Sequence, residues 1–167
     1  DDMGLGKTIQ VISFIAKLKE ENKLKKEKIL VVVPATLITN WQREILKFSP
    51  ELHVLIYHGV DRKLVIKHHD IIITTYGLVR FDITQFSKIK WLGIVIDEAQ
   101  NIKNPHSNQT KAIKKLRARI KVALTGTPVE NRLTEYWSIM DFVFPNYLGH
   151  LKAFKEQFAI PIEKFRN

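Results

Sequence analysis

The strongest constraint on the fold is an alternation of short apolar runs with longer segments of helical period. The run Ile29–Val33, ILVVV, is apolar at every position, as a strand buried on both faces of a sheet should be. Residues 7–22 instead place their apolar side chains along one face of a helix. Strands that alternate with helices in this way predict an α/β fold, with a mostly parallel sheet and helices on both of its faces.

The same patterns predict the remaining elements. Strands are expected at Leu52–Tyr57, Asp70–Tyr76, Trp91–Asp97 and Ile120–Thr127, and helices at 37–48, 107–116 and 133–144. The last of these helices, LTEYWSIMDFVF, is apolar nearly all round, which predicts burial within the domain or against another part of the protein. Because no repeat or internal linker divides the chain, residues 1–167 are expected to form a single domain.

Composition narrows the possible functions. The chain contains no cysteine, which excludes disulfides and thiolate metal sites, and its six histidines show no zinc-like spacing. No apolar run reaches the roughly 18 residues that a membrane span needs, so no membrane partner is expected. The net charge of +10 favours a polyanionic partner such as nucleic acid, although a lysine-rich solvated surface accounts for the charge equally well.

The first eight residues, DDMGLGKT, end in the Gly-Lys-Thr of a phosphate-binding loop, with Asp1 in place of the usual first glycine. Backbone N–H groups at the start of a helix form a nest for anions. Lys7 would reach the β- and γ-phosphates of ATP, and the Thr8 hydroxyl would ligate Mg²⁺. The alternative is a helix start that contains these residues by chance. The predicted nucleotide-binding residues in this loop are Asp2, Met3, Gly4, Leu5, Gly6, Lys7 and Thr8.

A pair of carboxylates follows the apolar strand in IVIDEAQ. The carboxyl ends of parallel strands face the ligand crevice, which places Asp97 near the metal and Glu98 near the γ-phosphate. Asp97 would hold Mg²⁺ through water, and Glu98 would orient and polarise the attacking water. An ordinary acidic turn is the alternative, but two carboxylates at a buried strand end are costly without a cation or solvent. Lys7, Asp97 and Glu98 are therefore the predicted catalytic residues.

Five segments together resemble helicase motifs I, Ia, Ib, II and III: in chain order they are DDMGLGKT, VVVPATLITNW, IITTY, VIDEAQNIKN and LTGTPVENRL. They most resemble the Swi/Snf family of DNA-translocating ATPases, and the ending FAIPIEKFRN is similar to the bacterial or archaeal branch. The resemblance implies a RecA-like phosphate-loop lobe that binds ATP and Mg²⁺. It also implies that the protein acts on double-stranded DNA.

The resemblance further implies roles for the residues of motifs II and III. Gln100 stands where many relatives have histidine, and it would bind on the nucleotide side and link the γ-phosphate to motif III. Thr125, Gly126 and Thr127 would relay the nucleotide state to the DNA side. Taken alone, this segment would be interpreted as no more than a well-formed turn.

Motifs Ia and Ib would face the DNA backbone, through Pro34, Thr74 and Thr75. Trp41 lies in the same region of the chain, but it falls in the apolar stripe of the predicted helix, which favours a position in the core.

Motors of this family have two RecA-like lobes with ATP between them, and the chain resembles the first lobe. Because the chain starts with Asp1 on the phosphate loop, we expect a piece of a longer protein, cut after the strand that leads into the loop and lacking the C-terminal lobe. That lobe would be a partner and would supply an arginine worth about 10³–10⁵ in rate. The full-length protein should therefore be an ATPase, and the isolated chain should be nearly inactive.

The resulting prediction is a lobe of a motor that translocates along duplex DNA without separating its strands. The alternatives are a strand-separating DNA or RNA helicase, a non-motor module that holds nucleotide or DNA, and an unrelated phosphate-loop kinase. The expected location is the cytoplasm, in association with the nucleoid, in a prokaryote, or the nucleus in a eukaryote.

Overall fold

Five strands form the central sheet of the computed structural model, which describes residues 5–126, 132–160 and 162. They are β1 (Ile29–Val33), β2 (Val54–Ile56), β3 (Ile71–Thr75), β4 (Lys90–Ile96) and β5 (Arg117–Ala123). Their order in the sheet is β2-β3-β1-β4-β5, and every pairing is parallel. The structure therefore confirms the α/β class.

Seven helices are described: α1 (Leu5–Glu20), α2 (Ile38–Phe48), α3 (Tyr76–Phe81), α4 (Ile83–Phe86), α5 (Asn108–Lys115), α6 (Leu133–Val143) and α7 (Leu151–Phe154). Short 3-10 turns occupy Ala35–Leu37 and Ala99–Ile102, and α7 continues into a π-helical turn at Lys155–Ala159. Two helices begin with side-chain caps, since the hydroxyl oxygens of Thr75 and Ser107 accept the N–H groups of Leu78 and Thr110.

Both faces of the sheet are buried, and the side chains of β1 are divided between the two apolar clusters that cover them. Ile29, Val31 and Val33 contribute to an apolar cluster that includes side chains of α1 and α2. Leu30 and Val32 belong to a second cluster, shared with side chains of α3, α4, α5 and α6. Successive strand residues point to opposite faces, so a strand covered on both sides must be apolar at every position.

The order of the strands reverses between β1 and β4. The chain leaves β1 toward β3 and β2 on one side, and then crosses to β4 and β5 on the other side. Ligand sites of open α/β sheets lie at such a reversal, outside the carboxyl ends of the strands. Val32 pairs with Ile96, and the next residue, Asp97, donates its backbone N–H to the Val32 carbonyl at 2.9 Å. Asp97 therefore lies at the carboxyl end of β4, beside the point where the strand order reverses.

The structure confirms the type of each predicted element but shifts several boundaries. Strand β2 is limited to Val54–Ile56, within the longer predicted segment, and β5 begins at Arg117 rather than Ile120. Helices α3, α4 and α7 were not predicted, because four to six residues are too few to show a helical period. No helix in the described ranges has the length and apolar character needed to cross a membrane.

Helix α6 is buried on one side only, although its sequence is apolar nearly all round. Trp137, Ser138 and Phe142 are buried, whereas Tyr136 is 42% exposed. The Ser138 hydroxyl is completely buried, donates to the Ile102 carbonyl at 2.6 Å and accepts from Lys114 Nζ at 3.3 Å. This side chain ties α6 to the turn Ala99–Ile102, which follows the two predicted acidic residues.

We predict that Ser138→Ala lowers the free energy of unfolding by about 1–3 kcal/mol, because it leaves the buried Ile102 carbonyl without that donor. Urea denaturation followed by circular dichroism would measure the change. Ser13→Ala is the matched control, since Ser13 is exposed on α1 and the same atoms are removed without burying an unpaired group. Equal loss of stability in the two variants would contradict the role given to Ser138.

Candidate functional site

The candidate site lies where the first turns of α1 meet the residues that follow β5. The exposed Lys7 side chain donates from Nζ to the Thr125 carbonyl at 2.6 Å. Thr125 is held in place by the preceding residue, because the Leu124 N–H donates to the Ile96 carbonyl at the end of β4. The predicted phosphate-loop lysine and the predicted motif III are therefore in direct contact.

Gln100 joins this contact to Glu98. The Thr125 hydroxyl donates to Gln100 Oε1 at 3.1 Å, and Gln100 Nε2 donates to the Glu98 carboxylate. The structure thus brings together Lys7, Thr125, Gln100 and Glu98 through one continuous series of hydrogen bonds. A glutamine suits this position because its amide offers an acceptor and a donor at the same time.

Glu98 has an unusual backbone. Its φ of +52° lies in the left-handed region, which costs a residue with a side chain about 1–2 kcal/mol. The Glu98 carbonyl accepts the backbone N–H of Asn101 at 3.0 Å and the Asn101 side-chain amide at 2.9 Å, and these bonds hold the turn. Strained residues of this kind cluster at functional sites, where the surrounding structure fixes them.

The Asp97 carboxylate is held by two N–H groups. Its Oδ1 accepts the backbone N–H of Glu98, and its Oδ2 accepts the indole N–H of Trp41, both at 2.8 Å. The Asp97 carbonyl accepts the Tyr76 hydroxyl at 2.5 Å. Burial raises the pKa of Tyr76, and the negative charges of Asp97 and Glu98 raise it further, so Tyr76 remains a protonated donor.

Trp41 and Tyr76 are the residues of this site that the sequence did not reveal. Trp41 is fully buried, which agrees with the predicted core position, and Tyr76 is also buried. Buried tryptophan and tyrosine side chains need a hydrogen-bond partner, and that need is a signal available from sequence. The sequence does not show which residue is the partner, because Asp97 lies 56 residues after Trp41 and 21 residues after Tyr76.

Two of the described residues carry oxygen atoms of the kind that would suit a magnesium-bound nucleoside triphosphate. The hydroxyl of Thr8 and the carboxylate of Asp97 are the oxygen ligands that Mg²⁺ prefers, and Mg²⁺ takes its remaining ligands from phosphates and water. A Cβ added to Gly6 or Gly126 would meet no atom of the described chain within 4 Å, so space is open at both glycines. Across the described ranges no three His, Cys, Asp or Glu side chains gather into a metal site. A Mg²⁺ ion that is bound mainly by phosphates and water does not need such a cluster.

Four of the predicted residues lie outside the described residues: Asp2, Met3 and Gly4 of the loop, and Thr127 of motif III. Leu5 is the first residue of α1.

The residues predicted to face nucleic acid differ in accessibility. Thr74 is fully buried, and its hydroxyl donates to the Tyr57 carbonyl at 2.9 Å, so its side chain is not available to a DNA backbone in this structure. Thr74 lies inside β3, where the first four residues are all buried because the sheet is covered on both faces. Thr75 is half-buried and caps α3, whereas Pro34 is half-buried before the turn that leads into α2.

Comparison with known protein families gives one match across the whole chain, because residues 1–167 fit the SNF2-related domain. YwqA of Bacillus subtilis, named as a candidate ATP-dependent helicase/translocase, is 44% identical over 173 residues, which cover 100% of this chain and 19% of YwqA. The chromatin-remodeling ATPase INO80 of Candida albicans is 39% identical over 178 residues, which cover 98% of this chain and 13% of that protein.

A solved structure is also similar to the chain, both in sequence and in fold. The SWI2/SNF2 ATPase core of Sulfolobus solfataricus in complex with double-stranded DNA superimposes with a TM-score of 0.89 at 45% identity. The match covers 98% of this chain and 34% of that one. The chain therefore spans about a third of the solved core and at most 19% of the two curated relatives.

We predict that the stability difference between the wild type and Tyr76→Phe narrows as the pH rises from about 9 to 11. The raised pKa of Tyr76 means that the unfolded chain loses this proton from its ordinary value of 10.0 upward, while the folded chain keeps it. The wild type therefore loses this stabilisation at high pH, and the phenylalanine variant has none to lose. Urea midpoints at a series of pH values would show the trend, and a constant difference would contradict it.

Proposed function

The chain belongs to the family of SNF2-related domains, and from that premise we propose that it is the ATP-binding lobe of a motor that couples ATP hydrolysis to movement along double-stranded DNA. The observation that carries the proposal is the hydrogen-bonded series from Lys7 through Thr125 and Gln100 to Glu98. This series connects a residue suited to phosphate with a residue suited to activating water. The Sulfolobus core bound to double-stranded DNA supports the choice of nucleic acid.

In this proposal each side chain of the site has a separate task. Lys7 would hold the β- and γ-phosphates, and Thr8 and Asp97 would hold Mg²⁺. Bound Mg²⁺ would neutralise negative charge on the phosphate oxygens. Glu98 would orient the attacking water and accept its proton, and the left-handed backbone at Glu98 would set the direction of this carboxylate.

Gln100 and Thr125 would report the state of the nucleotide to the rest of the lobe. Lys7 donates to the Thr125 carbonyl, and a phosphate would compete with that carbonyl for the same ammonium group. A change at Lys7 would therefore reach Thr125, and through its hydroxyl it would reach Gln100 and Glu98.

The complete motor would need more than this lobe. Because the chain covers only part of its relatives, we propose that a second RecA-like lobe of the full-length protein closes over the nucleotide and supplies an arginine. Contacts with DNA would be mainly to phosphates, in keeping with the net charge of +10. The protein would act wherever the DNA of its cell is held.

The first test is the ATPase rate of the full-length protein with no nucleic acid, duplex DNA, single-stranded DNA or RNA. We expect duplex DNA to stimulate the rate most, because the proposed motor tracks the duplex. A strand-displacement assay run alongside should show no unwinding. Stimulation by RNA alone, or efficient strand separation, would favour the helicase alternative.

We predict that Glu98→Gln in the full-length protein keeps ATP binding but lowers single-turnover hydrolysis by about 10²–10⁴-fold, because the amide keeps the size and loses the base. Lys7→Ala should abolish turnover without unfolding the lobe. Glu51→Gln is the matched control for Glu98, since Glu51 is exposed beyond the end of α2. Near-normal hydrolysis by the Lys7 or Glu98 variant would show that the nucleotide site lies elsewhere.

The same assay on the isolated 167-residue chain tests the two-lobe proposal. Its hydrolysis should be close to background with or without Glu98→Gln, because an absent arginine already removes about 10³–10⁵ in rate. Brisk hydrolysis that depends on Glu98 in the isolated chain would mean that one lobe carries a complete active site.

A further inference from the structure

The indole of Trp41 connects helix α2 to the candidate metal carboxylate. Trp41 has no exposed surface, and its Nε1–H donates to Asp97 Oδ2 at 2.8 Å. Packing against α1 and β1 explains why an apolar ring lies here. Packing alone does not require the N–H edge of the ring to point at a carboxylate.

The three tryptophans of the chain all lie in the described ranges, and they differ in their acceptors. Trp91 donates to the Phe86 backbone carbonyl at 3.3 Å, and Trp137 donates to the Gly149 backbone carbonyl at 3.1 Å. Trp41 has the shortest of these bonds, and among the three it is the one whose acceptor is a carboxylate. Hydrogen bonds to an ionised acceptor are about twice as strong as those between neutral groups.

The two donors on Asp97 fix the plane of its carboxylate. The Glu98 backbone N–H holds Oδ1, and the Trp41 indole holds Oδ2. Each carboxylate oxygen has two lone pairs, so each keeps one for a metal ion or its water. Without the indole, Oδ2 would lose its fixed donor, and the carboxylate could rotate about the bond that carries it.

We propose that Trp41 is a positioning residue, which orients the Asp97 carboxylate for Mg²⁺ and links that orientation to the place of α2. The inference rests on the proposed function, in which Asp97 serves the metal. Helix α2 follows Pro34 and its 3-10 turn, in the segment expected to face DNA, and its Arg43 and Lys47 are exposed. A shift of α2 would therefore move the donor that holds Asp97.

Trp41→Phe in the full-length protein tests the proposal, because phenylalanine keeps an aromatic ring and loses the N–H. Trp91→Phe is the matched control, since it makes the same change at another buried indole, which lies on β4 and donates to a backbone carbonyl. The measurement is the affinity for a fluorescent ATP analogue with Mg²⁺ and with EDTA. We expect Trp41→Phe to weaken the Mg²⁺-dependent affinity about tenfold and to leave the EDTA value unchanged. Trp91→Phe should change neither value.

Equal effects of the two variants on the Mg²⁺-dependent affinity would overturn the proposal. Asp97→Asn distinguishes this failure from failure of the proposed function. If Asp97→Asn removes the Mg²⁺ dependence and Trp41→Phe does not weaken it, the function stands and the role of Trp41 is wrong. If Asp97→Asn has no effect either, the metal assignment itself is wrong.

A spectroscopic measurement keeps the proposal testable even if Trp41→Phe does not fold. With ¹⁵N-labelled tryptophan, one indole N–H resonance should shift when Mg²⁺ and the nucleotide analogue are added, and the same resonance should shift in Asp97→Asn. The proposal is wrong if no indole resonance responds to both changes.

Discussion

The parallel pairing of β1 with β4 is the interaction on which the site depends. It continues one residue past the strand, where the Asp97 N–H donates to the Val32 carbonyl, and this bond fixes where the acidic pair leaves the sheet. Burial of both faces keeps the two strands together, since their side chains fill the two apolar clusters above and below the sheet. Backbone hydrogen bonding and apolar packing thus fix the position of the backbone that carries the charged groups.

Around this fixed point the polar contacts form two branches. One runs from Asp97 to Trp41 on α2, and to Tyr76 at the start of α3, so it reaches helices on both sides of the sheet. The other runs from Glu98 through Gln100 and Thr125 to Lys7 on α1. The left-handed residue Glu98 lies where the branches separate, and the adjacent carboxylates of Asp97 and Glu98 bind different partners.

The parts of this arrangement that local sequence patterns specify could be predicted, whereas contacts between residues distant in the chain could not. The continuous apolar run of β1 and the Gly-Lys-Thr loop are local signals, as is the acidic pair after β4, and each was found. The contacts of Trp41 with Asp97, and of Lys7 with Thr125, join residues 56 and 118 positions apart, and no local pattern specifies them. The assignment of Thr74 to DNA rests on the resemblance and stays a prediction, and the sequence did not indicate that this side chain is buried within β3.

The hydroxyl of Ser138 connects α6 to the candidate site. It donates to the carbonyl of Ile102, the last residue of the 3-10 turn that starts beside Glu98. An ion pair between Lys103 and Glu135, at 3.8 Å, also joins the residue after this turn to α6. Backbone hydrogen bonds from Asn101 to the Glu98 carbonyl and from Lys103 to the Gln100 carbonyl tie the residues of this turn together. A displacement of α6 would therefore act on the turn that begins beside Glu98, through the Ser138 hydroxyl.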